Sequence, residues 1–250
     1  MTIELSVRNI NKRFGGLHVL KDVCFEVGGA ELIGLIGPNG AGKTTLTNVL
    51  DGAIKPNSGT IYLNGERIDQ LAPFEVAKVG LGRTFQVTRS FRRMTVLENL
   101  FVPAQAKGDG RSVAEIRETA MGVLEFLTLE HLRNEYARAL SGGQQKLLEL
   151  GRLLMLDPDV IILDEPFAGV HPKLMEIIYG YIRRVNDDGK AVIIISHQMD
   201  SIFSLCKRLL VLNYGDMIAD GPPAEVRKDP AVIEAYLGTD DDDDDHEAAG

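Results

Sequence analysis

The nine residues GPNGAGKTT, Gly37 to Thr45, limit this chain more than any other stretch in it. Gly37, Gly42, Lys43 and Thr44 fall in the spacing G-x-x-x-x-G-K-[ST]. The apolar run ELIGLIG (Glu31 to Gly37) enters the loop, and TTLTNVLDG (Thr44 to Gly52) leaves it as a helix stopped by Gly52. Strand, glycine loop, helix is the order in which backbone N–H groups can surround phosphate oxygens with no Cβ in the way. Lys43 is placed to reach β- and γ-phosphates as a point charge, and the Thr44 hydroxyl to ligate Mg²⁺.

Two later runs, VIIL (Val160 to Leu163) and AVIII (Ala191 to Ile195), are continuous rather than alternating, as parallel strands covered on both faces are. They end in Asp164-Glu165 and Ser196-His197, the carboxyl ends where ligands gather in open parallel sheets. Asp164 is set to hold the water shell of Mg²⁺ and Glu165 to polarise an attacking water. Alone, the acidic pair would be a solvated turn; beside a phosphate loop it predicts a site.

The remaining chain supplies the covers. Alternation at Leu5 and Val7 and at Val23, Phe25 and Val27, with FGG (Phe14 to Gly16) as a turn, predicts an antiparallel edge sheet. Asn64-Gly65 continues it as a hairpin. Helical spacing takes over from about Thr88 to Asp157, a helical insertion. Leu209 to Gly221 closes as another hairpin, with a helix from about Pro222.

With 250 residues and 44% apolar composition, residues 1–238 are expected to form one unit. The formal charge of -9 arises mostly in the tail 239–250, whose six Asp (Asp240 to Asp245) and one Glu contribute -7 and leave the body near -2. That tail is expected to be disordered. A near-neutral body argues against a nucleic-acid partner. Cys24 and Cys206 match no metal spacing and are read as small buried residues. The longest apolar run, Ala191 to Ile195, is far short of the ~20 residues that span a bilayer.

LSGGQQK, Leu140 to Lys146, poses a problem because one glycine-rich phosphate loop is already present. Ser141 is a good N-cap, Gly142 and Gly143 leave N–H groups unobstructed, and Leu147, Leu150, Gly151 and Leu154 share one face of the helix that follows. This is a helix N-terminus suited to an anion. Either the chain holds two ligands, or one ligand lies between two chains.

In order along the chain, these residues resemble the ATP-binding cassette ATPases, from Phe14 to about Gly238. GPNGAGKTT looks like Walker A, Gln86 in GRTFQ like the Q-loop, LSGGQ like the signature, VIILDE like Walker B and His197 like the switch histidine. The resemblance implies a P-loop NTPase α/β core with a mostly parallel sheet, an N-terminal antiparallel β subdomain and a helical subdomain inserted at about 88–157. It implies Phe14 stacking on adenine; Gly37, Pro38, Asn39, Gly40, Ala41, Gly42, Lys43, Thr44 and Thr45 around the phosphates; and Thr44, Gln86 and Asp164 around Mg²⁺. Glu165 is then the general base and His197 a γ-phosphate contact. Leu140, Ser141, Gly142, Gly143 and Gln144 would act on the ATP of a partner chain in a head-to-tail dimer. Two departures stand out: His171 where the D-loop often has an aspartate, and Gln198 after His197 in place of an acidic residue.

Within the family, LGRTFQVTRSFRRMTVLENLFVPA (Leu81 to Ala104) and AVIEAYLG (Ala231 to Gly238) resemble the cassettes of branched-chain amino-acid importers. Cassettes for amides, urea or lipid export share much of this pattern, and a soluble cassette outside transport is the alternative class. The resemblance implies a motor at the cytoplasmic membrane face, with permease subunits, a second cassette chain and a substrate-binding protein as partners. Val87 to Met94 is the expected permease contact, because it joins the nucleotide site to the helical insertion.

Overall fold

Apolar side chains at every second position make β1 (Glu4–Phe14) and β2 (Leu17–Gly28) a half-buried hairpin, turning at Gly15 with φ 57°. The computed structural model describes residues 4–108 and 110–237; the expected disorder of the acidic tail falls on residues outside them. In β2 the period of two directs Val23, Phe25 and Val27 inward and turns Cys24 outward. The expectation of a buried Cys24 is therefore wrong, whereas Cys206 is buried as expected. The exposed Cys24 Sγ accepts from the backbone N–H of Asn9 at 3.0 Å.

β3 (Leu32–Ile36) enters the glycine loop, and α1 (Lys43–Leu50) leaves it. β4 (Ser58–Leu63) and β5 (Glu66–Arg67) join through Asn64 and Gly65, with φ 51° and 83°, as a tight hairpin with two left-handed residues requires. The first sheet has the order β2-β1-β4-β5 and is antiparallel.

After α2 (Pro73–Val79) and β6 (Leu81–Arg83) come the helices α3 (Val96–Lys107), α4 (Val113–Phe126) and α5 (Gly142–Leu156). Thr95, Ser112 and Ser141 each open their helix with a capping box. Gly151 lets α5 lie close to its neighbours, because a Cβ there would fall 2.9 Å from Leu127 and 3.1 Å from Leu100. The chain continues through β7 (Val160–Asp164), α6 (Pro172–Asp187), β8 (Ala191–Ile195), α7 (Met199–Leu205), β9 (Arg208–Asn213), β10 (Asp216–Gly221), α8 (Pro223–Val226) and α9 (Pro230–Leu237).

The second sheet has the order β10-β9-β3-β8-β7-β6, parallel throughout except at β10. Both of its faces are covered. Ile161, Leu163, Val192 and Ile194 pack with the helices, while Val160, Ile162, Ala191 and Ile193 pack with α1 and the antiparallel sheet. At ~1.5–3 kcal/mol for each fully buried aliphatic side chain, these strands anchor both cores. Their carboxyl ends open at one edge, where the loop after β3 and the residues after β7 and β8 meet.

Candidate nucleotide site

Gly42 lies at the entry to α1 with φ 107° and offers no side-chain cap, so the first N–H groups of the helix keep no side-chain partner. A Cβ at Gly37 would fall 2.0 Å from the Leu212 carbonyl, and one at Gly42 2.9 Å from that of Val19. Glycine is therefore required at both positions by backbone packed against backbone. Gly215 N–H fastens the loop from outside, donating to Ala41 at 2.9 Å. Lys43 Nζ donates to the carbonyls of Gly37 (2.6 Å) and Pro38 (2.8 Å), which puts the ammonium across the loop. Burial holds its pKa below the ordinary lysine value, while the Glu165 and Asp164 carboxylates favour the charged form. Asn39, Gly40 and Thr44 are exposed at the rim, Thr45 is half-buried, and Ala41 is buried beneath.

At the end of β7 the two carboxylates separate. Asp164 Oδ2 accepts from Arg83 at 2.8 Å, and the same guanidinium donates to Asp51 (2.8 Å) and Asn48 (2.7 Å) of α1's end. The Arg83 side chain is 4% exposed, so this is a buried bridge that fixes β7 to the helix leaving the glycine loop. Glu165 turns the other way, with a left-handed backbone at φ 49° and its N–H donating to Ile195 at 2.8 Å. Its buried Oε1 lies 3.2 Å from His197 Nε2 but receives no well-directed hydrogen bond. The His197 backbone N–H reaches Oε2 at 3.4 Å, and the imidazole is otherwise open to water.

Lys43, Asp164, Glu165 and His197 are thus brought together. Phe14 stands outside that cluster, half-exposed at the β1–β2 turn with the Lys12 ammonium 5.1 Å above its ring. Gln86 is exposed in the segment after β6. His171 caps α6, its Nδ1 accepting from Lys173 N–H at 3.3 Å, whereas Gln198 stands at the start of α7 without a side-chain capping bond. At the signature, Ser141 Oγ accepts from Gln144 N–H while Gln144 Oε1 accepts from Ser141 N–H at 2.9 Å. Leu140 is buried, Ser141 and Gly142 face solvent, and a Cβ at Gly143 would fall 2.6 Å from Leu174 of α6.

Sequence reasoning missed three charged residues. Arg83 holds Asp164. Glu149 of α5 accepts from Phe85 N–H at 3.2 Å, and burial pushes its carboxyl up to about 7 against that bond. Lys146 Nζ donates to the carbonyls of Glu165 (2.8 Å) and Ala168 (2.5 Å). The available signal was charge inside apolar periodicity: Glu149 interrupts the LLELGRLL face and Arg83 ends a short strand whose other residues are buried.

Residues 20–168 match the family model described as ABC transporter. This chain belongs to the ABC transporter family. Residues 217–242 of the cassette match a second model, described as Branched-chain amino acid ATP-binding cassette transporter. Over 247 residues it is 36% identical to the probable branched-chain amino acid transport ATP-binding protein LivG of Archaeoglobus fulgidus, covering 95% of this chain and 96% of that one. Among solved structures it resembles the ADP conformation of an ATP-binding cassette of an ABC transporter, with a TM-score of 0.81 and 37% identity over 95% of this chain and 99% of that one. It also resembles a cassette solved as a dimer in a post-hydrolysis state with ADP and Pi, with a TM-score of 0.79 and 28% identity over 87% and 98%. This ABC ATPase therefore has the fold the sequence led one to expect.

Proposed function

We propose that this cassette hydrolyses ATP to drive import of branched-chain amino acids through a membrane permease. One observation carries the hydrolytic part: the buried Glu165 carboxylate is 3.2 Å from His197 Nε2, and its charge is felt by the lysine of the phosphate loop. In this reading Gly37 to Thr45 bind the phosphates, Glu165 accepts the proton of the attacking water, His197 contacts the γ-phosphate and Phe14 stacks on adenine.

Mg²⁺ fits the donor set. Thr44, Gln86 and Asp164 offer a few oxygen ligands, and the described residues contain no group of three or more His, Cys, Asp or Glu that could cage a metal alone. A cation held through few protein oxygens and the phosphates of its substrate suits magnesium chemistry, and when bound it would neutralise charge developing on the phosphates.

Leu140 to Gln144 are assigned to the ATP of a second chain, because the capped N-terminus of α5 faces solvent and a similar cassette is dimeric. Residues 1–238 work in this reading as one ATPase unit, with the helical part at about 88–157. No helix among the described residues is long and apolar enough to cross a membrane. In this reading attachment to the cytoplasmic face comes from permease subunits seated on the cleft of about 400 Å³ lined by Phe85, Arg89, Phe91, Pro103, Glu149 and Arg152, which includes part of the expected contact Val87 to Met94. A substrate-binding protein would deliver the amino acid. The substrate class rests on the match at residues 217–242 and on the relatives' names.

The test is steady-state hydrolysis by the purified chain. Glu165→Gln is expected to bind ATP normally and to turn over roughly 10²–10⁴ times more slowly, the usual worth of a general base. Wild-type turnover removes Glu165 from this role. Isolating the native complex and measuring leucine, isoleucine and valine uptake tests the substrate; a complex that transports none of them refutes it.

A further inference from the structure

α5 grips the site on two sides. On one side, Gln145 meets Thr88 Oγ1 at 3.1 Å, Glu149 takes the Phe85 N–H, and Arg152 donates to the Arg89 carbonyl, so the segment around Gln86 is fixed to the helix. On the other side, Lys146 reaches the loop after β7, donating to the carbonyls of Glu165 and Ala168. The N-terminal turn runs close to α6, since a Cβ at Gly143 would fall 2.6 Å from Leu174. α5 is therefore attached both to the loop before the helical insertion and to the residue carrying the reactive carboxylate.

Glu165 needs such a support. A left-handed backbone costs a residue with a side chain roughly 1–2 kcal/mol, and it persists only where neighbours over-determine it. Here the N–H of Glu165 is held by Ile195 of β8 and its carbonyl by Lys146 of α5. The sheet fixes one side of this residue and the signature helix the other. The Lys146 ammonium is partly withdrawn from water, which lowers its pKa, while the Glu165 and Glu149 carboxylates favour its charged form.

We propose that Lys146 is a positioning residue for Glu165, tying the helix whose N-terminus meets the partner's ATP to the general base of its own chain. The two ATP sites of a dimer then communicate through each chain: ligand seated against Ser141 to Gly143 shifts α5, and Lys146 transmits that shift to the Glu165 backbone. This rests on the proposed roles of Glu165 and of head-to-tail pairing.

The experiment compares full-length wild type, Lys146→Met, Lys146→Arg and Glu165→Gln by ATP hydrolysis over a range of ATP concentrations and by binding of a fluorescent ATP analogue. Met keeps the apolar stem and removes the donor. It is expected to lower kcat about tenfold, to bring the Hill coefficient from above one to about one, and to leave nucleotide affinity within about twofold, because misplacing a base affects turnover rather than binding. Lys146→Arg, which keeps the charged donor, is expected to recover most of kcat. Wild-type kcat and Hill coefficient in Lys146→Met overturn the proposal, as does a loss of affinity equal to the loss of kcat. Should Lys146→Met fail to fold, Lys146→Gln takes its place, and wild-type kinetics there are equally fatal. If Glu165→Gln hydrolyses at the wild-type rate, the role of Glu165 has failed whatever Lys146 does; if Glu165→Gln is slow and Lys146→Met is not, only the present inference has failed.

Discussion

Two helices of this cassette begin at glycine-containing turns, and they begin differently. α1 starts after Gly42 in a left-handed conformation with no side-chain cap, enclosed by backbone from β2 and β9. α5 starts after Ser141 with a complete capping box, and Gly142 beside it meets open space. The first turn is shaped by its own chain and left without a side-chain cap, as the proposed phosphate site needs. The second is finished as a helix, so in the proposed reading the nucleotide at it belongs to another chain.

The sharpest way to break this contrast is a large cation at the second turn. Ser141→Arg is expected to leave nucleotide affinity of the monomer within about twofold and to lower hydrolysis by about 10³, the scale seen when an electrostatic contact to a transition state is lost. Binding by fluorescence and turnover at increasing protein concentration measure both halves. At the first turn the effects combine: Lys43→Ala is expected to weaken ATP binding itself about 10²-fold, because a charge-assisted contact to phosphate worth about 1.5–3 kcal/mol disappears. If Ser141→Arg weakened monomer binding as much as Lys43→Ala, the two turns would serve one nucleotide and the comparison would collapse.

What joins the two turns is also what the sequence hid. Gly37 to Lys43, the Asn64-Gly65 turn and the Ser141 cap were legible because their chemistry is local, each settled within a few residues. The period of two was legible as well, and Cys24 was misread because its place on the outward phase was passed over in favour of cysteine's general habit of burial. Arg83 with Asp164, Glu149 with Phe85 and Lys146 with Glu165 are separated by 81, 64 and 19 residues. Nothing along the chain announces such pairs; only the return of β7 beside β6, with α5 across the top, makes them neighbours.

Glu149 offers a test of that hidden connection through pH. Its carboxyl is raised from an ordinary value of 4.5 to about 7, chiefly by burial. Between those values the folded chain holds a proton that the unfolded chain has released, so stability from this group falls as pH rises and the penalty is complete above about 7. Glu149→Gln, which keeps an acceptor for Phe85 N–H, is expected to gain on wild type by about 2 kcal/mol between pH 5.5 and 7.5. Urea unfolding at the two pH values measures the difference. A constant offset would mean that the carboxylate is ionised throughout and that the signature helix holds the Gln86 segment with a full charge.

The smallest expected effect is the most telling about ownership. A Cβ at Gly142 would meet nothing within 4 Å in this chain, and the residue does not adopt positive φ. Gly142→Ala therefore reduces the freedom of the unfolded chain without straining the folded one, a gain of about 0.4–1 kcal/mol. If the turn belonged only to its own fold, activity would follow stability and be unchanged or better. If it is half of a site completed by another chain's nucleotide, the added methyl stands where phosphate oxygens must approach backbone N–H groups, and hydrolysis is expected to fall about tenfold while the melting temperature rises. Stability and turnover moving in opposite directions at one glycine would show that α5's first turn is shaped for a ligand the chain does not hold by itself.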